Sequence, residues 1–287
     1  MAASQRKIWF TYNGGRVFDL RPTEHAPQQT EGAAFAERKE FGQAMADLNR
    51  AVELAPYDAE NFHQRGLVCW QSGNVSQAAS DFDQALKLKP DDVPTLVDRG
   101  ALLLKGKAEA SAQADFERAE QLAPKDAALS LRIAEIYEAT ARYREAATQL
   151  DRWVSDNPRD DRVAGVLGAR CFARALTGDE PQRALSDCNT ALRNGWRTSQ
   201  VYESRGLLYL RARNFAKAMS DFNESLRLRA NDPEALYGLG LAKNSAGQRE
   251  AGERDMQAAV ALRDGNDALL ISTDSGEILQ VESGVFA

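Results

Sequence analysis

Four prolines, Pro56, Pro90, Pro124 and Pro158, stand 34 residues apart, and that interval constrains the fold more than anything else in the chain. Proline supplies no backbone N–H and disfavours helix in the residue before it, so each one predicts the end of a helix. Other positions keep the interval: Gly32, Gly66 and Gly100; Ala44, Ala78 and Ala112; Leu48, Phe82 and Phe116. Within one period, 59–92, an apolar helical pattern of Phe62, Gly66, Cys69 and Trp70 breaks at Ser72-Gly73-Asn74. A second pattern of Ala78, Phe82, Ala85 and Leu86 then runs to Pro90. This spacing predicts an antiparallel helix pair in which the small residues Gly66, Ala78 and Ala85 let two helices approach closely.

Composition narrows the function classes. Of 287 residues, 43% are apolar and 27% charged, the balance of a folded chain and not of a disordered one. A formal net charge of −6 argues against nucleic acid as a partner, because phosphate binding needs a clustered basic face. No apolar run approaches the roughly 20 residues of a membrane helix. The opening MAASQRKIWFTYNGGRV lacks an apolar secretory core, so a cytoplasmic location without membrane insertion is expected.

From about residue 25 to 266 the chain resembles the tetratricopeptide repeat (TPR) family. The resemblance rests on a Gly or Ala in the first helix, an aromatic three residues later, Ala and an aromatic in the second helix, and a terminal Pro. Repeats fall at about 25–58, 59–92, 93–126, 127–160, 161–198, 199–232 and 233–266. Repeat one carries Gly32, Phe35, Ala44, Leu48, Ala51 and Pro56; repeat three carries Gly100, Leu103, Ala112, Phe116, Ala119 and Pro124. Repeat four has Ala134, Tyr137, Ala146, Leu150 and Pro158, with Trp153 where Ala is usual, so packing there requires local adjustment. Repeat five, marked by Gly168, Cys171, Ala184, Cys188 and Ala191, has about four extra residues between its halves. Either its loop is longer or its helices run on by a turn. Repeat six returns to form with Gly206, Tyr209, Ala218 and Phe222, and repeat seven is diluted to Gly240, Gly252, Met256 and Ala259, as terminal units often are. The resemblance implies an all-α, right-handed superhelical solenoid of antiparallel helix pairs.

The ends read differently. Residues 1–24 place aromatic and β-branched flanks around Asn13-Gly14-Gly15, the form of a β-hairpin. Residues 267–287 alternate like two strands about Asp274-Ser275-Gly276, unlike the polar capping helix usual in the family.

The repeated charges suit structure better than catalysis. Asp47, Asp81, Asp115, Asp187, Asp221 and Asp255 occupy one matched place in the second helices, and Arg65, Arg99 and Arg205 precede first-helix glycines. Catalysis needs one asymmetric site, not six copies, and a partly buried guanidinium needs a partner. The arginines are therefore expected to pair with aspartates of their own or adjacent repeats. Cys69, Cys171 and Cys188 lack metal-type spacing and fall on core places, so inert buried thiols are expected. His25 and His63 are too scattered for a metal site or a triad. No phosphate loop, zinc spacing or nucleophile motif is present; no catalytic residue, cofactor or metal is expected.

What remains is binding. By resemblance, first helices line a concave groove, and its inward places are His63, Leu67, Trp70, Leu104, Glu135, Glu138, Phe172, Leu207, Leu210, Tyr237, Leu241 and Asn244. The family's carboxylate clamp for acidic chaperone tails needs Lys and Asn where this chain has Gln29 and Ala33, then His63 and Leu67, so that role is excluded. An apolar groove with aromatic anchors points to a non-catalytic scaffold or adaptor for another protein or peptide. Regulation or self-association through the termini is the sharper version. The alternative makes the termini a small β module, with the helices as a spacer or assembly platform.

Overall fold

The computed structural model describes residues 31–262, those before residue 41 by their backbone path alone, and the short segments 269–272 and 278–281. Among these there are thirteen α-helices and one two-stranded antiparallel sheet. The chain divides into two compact units, Met1–Leu122 and Ala123–Ala287. The first unit holds α1 (Glu31–Leu54) and the hairpins α2 (Ala59–Gln71)/α3 (Val75–Leu88) and α4 (Val93–Lys105)/α5 (Glu109–Leu122). The second holds α6 (Ala127–Ala139)/α7 (Tyr143–Asp156), α8 (Val163–Thr177)/α9 (Pro181–Arg193), α10 (Ser199–Arg211)/α11 (Phe215–Leu228) and α12 (Pro233–Ser245)/α13 (Arg249–Ala261). Two strands follow, β1 (Leu269–Ser272) and β2 (Ile278–Val281), paired with Leu269 opposite Val281. The hairpin expected in residues 1–24 lies outside the described residues.

Local chemistry sets the helix ends. Asp58, Asp92 and Asp126, one repeat apart, each accept a hydrogen bond from a backbone N–H in the first turn of the next helix. Such a cap contributes about 1 kcal/mol. Five of the six first helices, α8 excepted, close through a turn whose middle residue is left-handed: Gly73, Lys107, Ala141, Arg213 and Gly247 have φ between 57° and 86°. In the first of these, the N–H of Asn74 reaches Cys69 O and that of Gly73 reaches Trp70 O, so carbonyls orphaned at the helix end are satisfied.

The hairpin core follows from one size rule. A Cβ on Gly66 would lie 2.7 Å from the Phe82 ring, and one on Gly100 2.5 Å from the Phe116 ring. Glycine in the first helix is thus the seat of the phenylalanine in the second. Where repeat four replaces that glycine with Ala134, the facing residue shrinks to Leu150, and both are buried. Trp153 fits there because its indole N–H donates to Ala127 O at 3.0 Å, while the Arg162 guanidinium covers its ring. In repeat seven the helices touch backbone to backbone, a Cβ on Gly252 falling 2.5 Å from Gly240 O.

Two expectations change, and between them an open choice, a longer loop or a longer helix in repeat five, is decided. First, α1 is one continuous helix of 24 residues, where the period predicts a turn near residue 39. Arg38, Lys39 and Glu40, all good helix formers, stand there in place of Ser72-Gly73-Asn74. The extra residues of repeat five extend the helix and not the loop. From Gly168 the helix α8 runs to Thr177, whereas from Gly66 the helix α2 stops at Gln71. Second, Cys171 and Cys188 are not free thiols but a disulfide, with Cα atoms 5.4 Å apart. Their places on the first and second helices are those of Cys69 and Phe82, which pack together in repeat two. Cysteines at both places of one hairpin come within bonding reach. Cys69 is free and buried.

Candidate functional site

The repeated charges form a ladder inside the hairpins. Arg65 donates through Nε and Nη2 to both oxygens of Asp81, at 2.9 and 2.6 Å. Arg99 holds Asp115 in the same way, and Arg205 holds Asp221. The third nitrogen of each reaches the preceding second helix: Arg65 Nη1 bonds Asn49, Arg99 Nη1 bonds Asp83 and Arg205 Nη1 bonds Asn189. Each arginine therefore ties two successive second helices to the first helix between them. Repeat five doubles the device, with Arg170 and the buried Arg174 both clamping Asp187 and Asp151. Lys243 and Asp255 replace the pair in repeat seven, and Asp47 is exposed. With both oxygens of Asp81, Asp115, Asp187 and Asp221 engaged, the ladder holds helices in register.

The first-helix face splits between the two units. In the first unit Leu67 and Trp70 are half-buried, Trp70 meeting Phe82 edge-on at 6.5 Å. His63 and Leu104 are buried. His63 Nε2 lies 2.8 Å from Asp98 Oδ2, and its ring packs on Phe82, so His63 joins α2 to α4. An open depression of about 300 Å³ in this unit is lined by Asp83, Leu86, Lys87, Pro90, Leu96 and Arg99, none of them among the expected groove residues.

In the second unit Phe172, Leu207, Leu210, Leu241 and Asn244 are half-buried, and Tyr237 is buried. Phe172 sets its edge against Tyr143 at 5.7 Å. Glu135 is exposed and Glu138 half-buried, one turn apart on α6. Burial pushes the Glu138 carboxyl up to about 7, with help from the Glu135 charge. Its Oε1 is fully buried and has no hydrogen-bond partner. Sequence reasoning missed Glu203, which burial, Asp232 and Glu234 push up to about 8. Its signal was present, since Glu203 falls on the repeat place of His63 and Tyr237 and is the carboxylate among them.

Comparison with known proteins fits this geometry. Family models described as tetratricopeptide repeat match residues 63–127, 102–169 and 199–232. The chain is a tetratricopeptide repeat protein. Among solved structures, it resembles a chain of the APC/C hetero-tetramer Cut9–Hcn1, with a TM-score of 0.55 at 15% identity over 80% of this chain. This TPR protein spans 45% of the length of that one. PilF of Pseudomonas aeruginosa matches with a TM-score of 0.54 at 16% identity, over 72% of this chain and 93% of the other. YrrB, a TPR protein with an unusual peptide-binding site, matches at 0.50 and 17%, over 66% of this chain and 96% of its own. At such identities the likeness is one of fold. No curated protein matches the TPR chain by sequence. None of its described helices is long and apolar enough to cross a membrane.

Proposed function

We propose that this TPR protein is a non-catalytic scaffold that binds a partner polypeptide along its first-helix faces. The observation that carries the reading is the row Phe172, Leu207, Leu210 and Leu241, half-buried on the successive first helices α8, α10 and α12. Apolar area left partly open at matched places of successive repeats is what a polypeptide ligand can cover, at about 25 cal/mol per Å² before association costs. Glu138 narrows the ligand. A buried carboxylate oxygen without a partner favours a segment that brings a Lys or Arg beside its apolar side chains.

The tail supplies the regulation. β1 lies beside α12, the helix of Tyr237, Leu241 and Asn244, and competes there with the partner. The experiment is affinity capture with mass spectrometry on the intact chain, a Phe172→Gln/Leu210→Gln variant and a chain lacking residues 267–287. The partner should be lost from the first variant, with its helical melt preserved, and bound more tightly by the second. Capture of the same proteins by all three sinks the reading.

A further inference from the structure

We propose that the Cys171–Cys188 bond is a redox-dependent staple that holds repeat five closed, and that the protein reaches its native form where thiols are oxidised. Both sulfurs are buried, among Leu167, Ala175, Ala184, Ala191 and Val201. In repeats two, three and six the place of Cys188 holds a phenylalanine whose ring fills the space between helices: Phe82, Phe116 and Phe222. Repeat five has no such ring. Gly168 faces Val201 and Trp196 instead, and much of the layer between α8 and α9 is alanine. Small side chains bury less apolar area than a ring, and a covalent link offsets the deficit by restricting the unfolded chain.

The oxidation balances through exchange with a small-molecule disulfide such as oxidised glutathione. One cysteine thiolate attacks the glutathione disulfide, forms a mixed disulfide and releases a glutathione thiolate. The second cysteine thiolate then displaces the other glutathione, so two protein thiols are oxidised and two glutathione thiols are produced. Because both sulfurs are buried, exchange occurs while α8 and α9 are apart. Reducing compartments keep protein thiols free, so the staple runs against the cytoplasmic expectation.

The test takes the full chain refolded in mixed reduced and oxidised glutathione, denatured, alkylated and weighed. One alkylated thiol, Cys69, is expected before reduction and three after, with peptide mapping that links Cys171 to Cys188. Three before reduction, or a link through Cys69, overturns the proposal. In a Cys69→Ala chain, reductant should lower the helical melt by roughly 10 °C. A Cys171→Ala/Cys188→Ala chain should melt like the reduced protein and ignore reductant. If that double variant fails to fold, the Cys69→Ala melt decides; no response to reductant there refutes the staple.

Discussion

A single methyl group separates fit from clash at the glycines facing aromatic rings. The Phe116 ring is buried on every side, so it cannot yield to a Cβ placed 2.5 Å away. Gly100→Ala should therefore destabilise the protein by about 1–3 kcal/mol, seen as a lower urea midpoint; an unchanged midpoint refutes the packing rule. Turn residues err in the other direction. Lys107 is held at φ 63°, where a side chain crowds the backbone, so Lys107→Gly should stabilise by about 0.5–1 kcal/mol. Glu138 makes the chain sensitive to pH. Its folded carboxyl is raised from 4.5 to about 7, so the fold prefers the protonated form. Stability is then greatest below pH 4.5 as far as this group is concerned, and falls as pH rises towards 7. Glu138→Gln should remove a decline of about 1–2 kcal/mol between pH 5 and 8, measured by thermal melts across that range. These residues differ in legibility. Gly66 and Phe82 are readable from spacing alone, whereas the shift at Glu138 comes mainly from burial, which linear spacing does not reveal.

At the scale of the element, the arginine ladder joins neighbouring helices through charge-assisted hydrogen bonds. Arg99 engages Asp115 and Asp83 at once. Arg99→Met would leave the buried Asp115 without its main partner, and should cost about 2–4 kcal/mol. Adding Asp115→Leu should recover most of that loss in equilibrium unfolding, because the penalty comes from the stranded charge and not from the missing pair. The repeated Asp and Arg placed this network in the sequence, and the hairpin geometry gives Arg99 one partner in its own repeat and another in the repeat before. Helix lengths were less legible. The four extra residues of repeat five extend α8 to Thr177, where Arg211 from α10 donates to the carbonyls of Ala175 and Leu176. That cap comes from the next repeat, so the sequence of repeat five does not contain it. The unbroken α1 was readable in principle, since Arg38-Lys39-Glu40 carries no turn chemistry.

At the scale of the whole molecule, binding and protonation should be linked. If a partner places a Lys or Arg against Glu138, the carboxyl must ionise, and affinity should rise several-fold between pH 6 and 8. Anisotropy titrations of a captured partner peptide test this, and the dependence should vanish in Glu138→Gln. A pH-independent affinity removes Glu138 from the site. Sequence by itself determined the repeat, the helix pairs within it and the caps and prolines that end them. Each of those depends on residues a few places apart, whose chemistry acts within one turn or one hairpin. Tertiary structure decided which expected groove residues are open and which are spent on packing, as with His63, held by Asp98, and the buried Leu104 and Tyr237. It also decided that two of the three cysteines bond and that burial raises the Glu138 and Glu203 carboxyls. Burial and the approach of helices fix those outcomes, and both are properties of the packed array that no single repeat possesses.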